Sequence, residues 1–553
     1  MNLMKEYLDN LSNFFSYLKP KLFICLQNTY DINVFKKDCI AGLTVAIISL
    51  PLAMALAISS GTTPDRGIFT AIVAGLIISF FGGSRSQIGG PTAAFIAVVC
   101  GIISKYGFDG LIIATFMAGI MLAVAGLFKL GTLIKYIPHS IVTGFTSGLS
   151  IVIFSTQIKD FLGLTLENPP YEFLMKWVSY YHNLSTYNIC ATFIAIATLV
   201  VILTVRKRWP KLPVFFIVVG LATMLVVIFK INVPTIGSKF GMIQKNLPTP
   251  ILPAISFQQF IVLLPAAFTI AFLAGIESLL SAVIADGITG FKHNSNVELV
   301  AQGLANIGSA CFGGLPATGA IARTVANIRA GGQTPVSGII NALLILVFIW
   351  ILSPIISLVP LSCLAAILVV IAWDMSEIKK FYYFLLAPNG DRLVLIVTFL
   401  LTILVDLTVA VEVGLILACL VFMRRMSKVT EITFHEDQFH SEQVPGTCMY
   451  KINGPLFFGV TSRVDLVFNT QSSTAKICIV DLQNVSLLDA SGAHVLTNFI
   501  EKRQLGGTKV ILCGLNKQLQ LILSKMDLKK LISPEIIVAN LTQAISLSKN
   551  FVC

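Results

Sequence analysis

At 553 residues the chain is long enough for more than one domain, but 56% hydrophobic and 12% charged residues, with a mean hydropathy of +0.85, exclude an ordinary soluble protein. The net charge of +12 does not mark a nucleic-acid binder, because the basic residues follow apolar runs and none is set beside stacking aromatics on a soluble face. Eleven cysteines between Cys25 and Cys553 make no CxxC pair and no Cys/His cluster, so neither a disulfide framework nor a metal site is expected.

Residues 1–37 mix Lys5, Glu6, Asp9, Lys19 and Lys21 with aromatics and read as a cytosolic lead-in, with no cleavable signal peptide evident. Residues 38–426 read as the membrane part. A crossing helix needs about 20 apolar residues, and about 12 to 14 such segments fit between 38 and 423. The first is read as interrupted at Pro51, so that Leu52 and Leu56 form an apolar wall. Arg206-Lys207-Arg208, Lys379-Lys380 and Arg424-Arg425 each follow an apolar run, which places those loops and both termini in the cytosol of a bacterial inner-membrane protein.

Two breaks carry most of the functional information. Gly89-Gly90-Pro91-Thr92-Ala93-Ala94-Phe95 and Gly314-Leu315-Pro316-Ala317-Thr318-Gly319-Ala320-Ile321 each combine a Gly-x-Pro interruption with small residues and a short apolar helix pattern. They occupy corresponding places in two halves, and interrupted spans in matching halves point to a transporter's substrate site. A helix start inside the bilayer leaves N–H groups without partners, and these together with the positive dipole end favour an anion. The binding groups are therefore expected at Thr92, Ala93 and Ala94 and at Thr318, Gly319, Ala320 and Ile321, with Phe95 in the pocket wall. Small side chains let an anion reach the backbone. A single such tract is most simply a packing seam, but two in symmetric places favour a site.

Arg323 lies about a turn into the second half-helix, where a cation costs about 2.5–3.5 kcal/mol on insertion scales and needs a partner or a purpose. Snorkelling toward the cytosol, helped by Arg329, or a structural ion pair would satisfy it; the family that the motifs below resemble implies instead a positive potential behind the anion. Glu277 interrupts the run FTIAFLAGIESLLSAVIA, with Ser281 one turn later on the same face, and is read as the coupling group; a static ion pair with Arg323 is the plainer reading. Arg85 is placed at the cytosolic entrance, and Asp406 and Glu412 are read as loop or interface charges between the last two spans.

Past Arg425 the pattern changes. Residues 427–446 are mixed and polar and read as a linker. From 447 to 553 short apolar strands such as ICIVDL alternate with amphipathic helices, which argues for a small α/β domain. Ser491, after Asp489-Ala490, is read as an exposed helix N-terminus that either caps the helix or accepts phosphate. No nucleophile–base constellation and no Walker loop is present, so an enzyme or an ATP-driven pump is not expected.

Gly-Gly-Ser-Arg at 82–85, the GGPTAAF stretch, IESLLSAV at 276–283 and PATGAIARTVANIRAG at 316–331 resemble the SulP (sulfate permease) family. GPLFF at 454–458 and LLDASG at 487–492 resemble the STAS domain that those carriers share with anti-sigma-factor antagonists. Within the family, runs such as QIKDFLGL and FMRR are similar to the bacterial C4-dicarboxylate carrier type, DauA/YchM. The resemblance implies a polytopic α-helical membrane protein of 14 spans arranged as 7+7 inverted repeats, with a cytosolic α/β STAS domain. Spans 1–4 and 8–11 would be a core and spans 5–7 and 12–14 a gate, with elevator-like movement between them and a homodimeric state. It further implies proton-coupled symport of succinate, fumarate or aspartate without any cofactor. The coupling ion is a proton ahead of sodium, and a sodium ion would sit at Glu277 and Ser281. Sulfate or bicarbonate transport coupled to sodium or protons is the alternative, and a membrane anion sensor signalling through the STAS domain is a reading of another class. Partners are the bilayer, the small anion and a cytosolic protein on the STAS domain.

Overall fold

The computed structural model describes residues 19–28, 30–132, 138–166, 170, 172–209, 212–242, 244–405, 407–435, 446–470, 475–525 and 536–552. Much of the expected lead-in, Asp406 and residues 436–445 of the expected linker lie outside them. The chain divides into two compact units, Met1–Leu415 and Ile416–Cys553.

In the first unit, α1 (Lys21–Asn28) is followed by α2 (Ile32–Ser59), α3 (Pro64–Phe81), strand β1 (Gly89–Gly90) and α4 (Phe95–Leu127). Next come α5 (His139–Leu162), α6 (Phe173–His182), α7 (Ile189–Arg208), α8 (Val214–Ile228) and the one-turn α9 (Ile236–Phe240). The second half holds α10 (Phe257–Thr289), α11 (Ser295–Cys311), strand β2 (Thr318–Gly319), α12 (Ile321–Arg329) and α13 (Val336–Ile356). It ends with α14 (Leu361–Met375), α15 (Ile378–Leu385), α16 (Asn389–Leu404) and α17 (Leu407–Val429), in which the unit boundary falls.

Among the described residues eight helical stretches are long and apolar enough to cross a membrane. The expected number of 14 does not follow from long helices alone. Two physical reasons are visible. Gly107, at φ 72° and ψ −178°, breaks α4 into two helices, and the segment before it is only a half-span. The 9-residue α12 is likewise too short to cross.

Pro51 does not interrupt the first span. α2 runs through it without a break, and Pro265 and Pro354 are likewise absorbed inside α10 and α13. Packing of neighbouring spans compensates the single lost backbone bond.

The helices sort into two packed groups. In one, α2 lies on α3, α12 and α13, α4 lies on α10 and α11, and α11 also meets α3. In the other, α5 packs on α14, α16 and α7, and α7 on α14 and α8. Backbones touch where α4 crosses α11: a Cβ on Gly119 would stand 2.7 Å from the Gly303 carbonyl oxygen, so only glycine permits that approach. Two buried carboxylates pin loops. Asp38 accepts from Gln333 N, Thr334 N and Thr334 Oγ1, and Glu298 accepts from Gly83 N, Ser84 N and Gln302 Nε2.

The second unit is built on a five-stranded sheet in the order β3 (Glu431–His435), β4 (Thr447–Asn453), β5 (Ile477–Asn484), β6 (Lys509–Cys513) and β7 (Ile537–Val538). The first pair is antiparallel and the others are parallel. β3 therefore lies inside the segment expected to be a linker. Helices α18 (Thr461–Thr470), α19 (Ala490–Leu505) and α20 (Lys517–Lys525) follow the strands, and α21 (Leu541–Val552) ends the described chain. One core holds Tyr450, Phe468 and Phe499, the last two stacked at 3.9 Å between centroids. A second gathers Met449, Ile479, Ile511 and Ala544. Buried parallel strands explain the near-continuous apolar runs of β5 and β6.

Candidate functional site

β1 and β2 meet as an antiparallel pair, with Gly89 opposite Gly319 and Gly90 opposite Thr318. This two-stranded crossing brings the two sequence breaks to one place, and a half-helix leaves from each strand. The crossing is held by side chains of α10 and α12. Gly319 N donates to Ser278 Oγ at 3.0 Å, and the Ser278 and Thr318 hydroxyls are 2.6 Å apart. Ile88 N donates to Thr324 Oγ1, Ala320 N to Ile88 O, and Gln87 Nε2 to Ser278 O.

These bonds correct the expected donor set. The N–H groups of Gly319 and Ala320 are consumed inside the fold, because buried backbone N–H groups take partners wherever a second strand offers them. On the second half-helix the N–H groups of Ile321, Ala322 and Arg323 remain without an acceptor among the described residues, while Thr324 N already bonds Ala320 O. On the first, those of Thr92, Ala93 and Ala94 remain, and Phe95 N and Ile96 N bond back to Thr92 O and Ala93 O. Thr318 is fully buried, and its hydroxyl donates to Ala274 O.

Arg323 is 2% exposed. Its Nη2 donates to Pro91 O at 2.5 Å, while Nε and Nη1 have no partner. No ion pair joins it to Glu277 among the described residues, so the plainer reading of these two charges does not hold. The guanidinium lies against Gly90, where an added Cβ would meet Nη1, and Gly90 itself adopts φ +149°, which favours glycine.

Glu277 Oε2 accepts from Thr92 Oγ1 at 3.0 Å, so α10 reaches the start of α4 directly. Ser281 is fully buried, and its hydroxyl donates to Thr324 Oγ1 at 3.3 Å. The hydroxyl that holds the crossing is Ser278, next to Glu277. Leu52, Leu56 and Phe95 are buried in one continuous apolar core with Ala93 and Ala94. Glu412 lies inside α17, not in a loop, and lines a cavity of ≈ 20 Å³ with Phe145, Phe272 and Ile276. Arg85 sits over the Phe291 ring at 4.0 Å.

Ser278, Gln87 and Thr324 were not singled out from the sequence, and Gly90 was read only as part of the first break. Their signal was the cluster of hydroxyl and amide residues around two glycine-rich breaks, which looks the same as a packing seam. In the second unit Asp489, not Ser491, caps α19: its carboxylate accepts from Gly492 N at 2.7 Å and from Phe458 N at 2.9 Å. Ser491 is exposed one residue inside the helix.

The arrangement is a polar, backbone-lined crossing with one buried cation, suited to holding a small anion. Known proteins agree in kind. Residues 35–398 match the model of the sulfate permease family, and residues 438–544 match the STAS domain. The putative sulfate transporter YvdB of Bacillus subtilis (strain 168) is 41% identical, over 90% of this chain and 95% of that protein. The solved transmembrane domain of a cyanobacterial bicarbonate transporter, BicA, is 30% identical and covers 69% of this chain and 99% of its own, with a TM-score of 0.63. The murine Solute Carrier 26 family member A9 anion transporter in the inward-facing state covers 97% of this chain and 95% of its own at a TM-score of 0.86, and its 19% identity shows the fold alone. These relatives carry sulfate and bicarbonate names, which overturns the expectation of proton-coupled C4-dicarboxylate symport. Backbone N–H groups hold a carboxylate and an oxyanion alike, so the residues had never distinguished them. The chain belongs to the sulfate permease family as a multi-pass membrane anion transporter with a cytosolic STAS domain, and it is not an enzyme.

Proposed function

We propose that this chain is a secondary carrier of a small oxyanion, sulfate or bicarbonate, which it binds where α4 and α12 begin. The observation that supports this most is the β1–β2 pairing, which joins two half-helix starts and leaves N–H groups of both without acceptors. In a low-dielectric site two positive dipole ends stabilise an anion without a side-chain cage. Arg323 adds a full charge beside them, with two of its donors unspent. The sulfate and bicarbonate names of the relatives support that substrate class. The test is uptake of labelled sulfate and bicarbonate into proteoliposomes under imposed proton and sodium gradients, with Ala320→Leu as the blocked variant. Uptake of neither anion, or an unchanged KM in folded Ala320→Leu, sinks the reading.

The finer architecture belongs to the same proposal. Exchanging the halves turns the α2–α13 packing into α10–α4 and the α3–α13 packing into α11–α4, and it leaves α3–α11 as itself. That symmetry supports 7+7 inverted repeats, with α2–α4 and α10–α13 as core and α5, α7, α8, α14, α16 and α17 as gate. Core would slide against gate as an elevator. Phe145 and Ile276 line one cavity from the two sides. Cross-linking the double variant Phe145→Cys/Ile276→Cys should therefore stop transport reversibly, and full activity when cross-linked rejects a moving core. We assign Glu277 the coupling role, taking a proton or a sodium ion, and carry forward a homodimer, which mass photometry of the detergent-solubilised protein reads directly.

A further inference from the structure

α7 ends in the basic Arg206-Lys207-Arg208, so α6, which precedes its other end, lies on the outer side of the membrane. Tyr180 Oη donates to Ser155 O at 3.0 Å and fastens α6 to α5. One turn earlier, Lys176 is only 8% exposed. Its ammonium makes no hydrogen bond and no ion pair among the described residues, whereas the neighbouring outer lysines are paired. Lys159 donates to Leu166 O at 2.9 Å, and Lys239 faces Asp160 at 3.5 Å. A lysine side chain this buried without an ion-pair partner is costly.

Lys176 borders a partly open cavity of ≈ 110 Å³ lined by α4, α5, α6 and α16, which has room for several waters or one small oxyanion. Its other side-chain donors are spent on backbone carbonyls: Thr156 Oγ1 on Ile153 O, Thr402 Oγ1 on Thr398 O, and Cys100 Sγ on Ser59 O. Glu172 borders the cavity too, but its side chain is exposed to solvent, where its charge is screened. The cavity thus has one cation on its wall, with three N–H donors to offer, and no other side-chain donor left unspent. Its position also matters. Ala97 and Cys100 put it beside α4, about 4.5 and 9 Å along the helix from Ala94, outward of the half-helix start.

We propose that this cavity is an outer anion station, in which Lys176 holds the arriving oxyanion beside α4 before it reaches the half-helix crossing. The inference rests on the carrier reading above and adds a second site to it, together with a direction: Lys176 acts on anions that come from outside.

Two measurements test it. In right-side-out proteoliposomes, Lys176→Met should raise the external KM for sulfate or bicarbonate about fivefold and flatten its dependence on ionic strength. The KM for efflux and the maximal rate should change less than about twofold, and Lys176→Arg should restore the wild-type KM. A merely structural lysine would alter both directions equally or lower the maximal rate, and either outcome overturns the proposal. The second measurement does not depend on transport. With Cys100 as the remaining cysteine, the reaction rates of an anionic and a neutral methanethiosulfonate added from outside are compared. Their ratio should fall about threefold or more in Lys176→Met, and sulfate should slow both reagents in the parent. An unchanged ratio rejects the station even if the carrier reading stands. If the parent moves neither anion the carrier reading fails, while the reagent ratio still reports on Lys176.

Discussion

Thr92 Oγ1 donates to Glu277 Oε2 across 3.0 Å, tying the residue at the first half-helix start to the carboxylate of α10. The residue proposed to bind the anion through its backbone and the proposed coupling carboxylate are thus in direct contact. If Glu277 takes the coupling proton or cation as proposed, a change in its charge reaches Thr92 through one hydrogen bond.

Glu277→Gln keeps an oxygen that can accept from Thr92 but removes the ability to release a proton or to offer a full charge. The expected outcome is a folded carrier that exchanges anion across the membrane but no longer accumulates it on a gradient. Thr92→Val should leave the carboxylate without its side-chain donor, at a cost of about 1–3 kcal/mol, and shift the cation dependence of uptake. Gradient-driven accumulation by Glu277→Gln at the parental level would make Glu277 structural.

Gly90→Ala tests the crossing. The residue adopts φ +149°, and an added methyl would meet Arg323 Nη1. The substitution should lower the melting temperature and raise the KM about tenfold, equivalent to about 1.4 kcal/mol, as the guanidinium is pushed from its place. Parental KM and melting temperature together would show that the crossing tolerates a side chain there.

Ser278→Ala removes the acceptor for Gly319 N and a partner of Thr318 in a fully buried place. Leaving a buried N–H unpaired costs about 1–3 kcal/mol, so thermal stability of the purified carrier should fall. Ser281→Ala removes only the 3.3 Å contact to Thr324 and should cost less. A larger loss for Ser281→Ala than for Ser278→Ala in the same melting assay would reverse the ranking that the geometry gives.

Much of the candidate site was legible because charge and proline are conspicuous in apolar sequence. Pro91, Pro316, Glu277 and Arg323 stand out there, and the structure sets the two breaks at one crossing with Glu277 a hydrogen bond from the first. What stayed hidden is pairing. Nothing in Gly89-Gly90 or Thr318-Gly319 says that they are strand partners, and that pairing consumes the N–H groups of Gly319 and Ala320. Proline misled at Pro51, because a lost backbone bond is decisive only where neighbours do not compensate it. β3 was missed since a five-residue strand with exposed alternate positions looks like a polar linker. The cap of α19 was misplaced by two residues, since Asp489 and Ser491 are both good capping residues and only the geometry chooses. The dicarboxylate reading failed for a different reason: the chemistry of a helix start does not discriminate among small anions.

The last prediction concerns the STAS unit, which has its own cores and its own cap. Asp489 accepts from Gly492 N and Phe458 N, so it closes α19 and the turn before it at once. Asp489→Ala should destabilise the isolated unit by about 0.5–2 kcal/mol, the range for loss of an N-cap, with some addition from Phe458 N left unbonded. In the full chain, deletion of residues 440–553 should reduce expression or turnover more than substrate affinity, because the β1–β2 crossing and both half-helix starts belong to the first unit. The two measurements separate the roles cleanly. A folded deletion variant whose KM for sulfate or bicarbonate rises more than about tenfold would show that the STAS unit helps to shape the anion site. An unchanged KM with a reduced maximal rate confines it to controlling how fast or how often the carrier works.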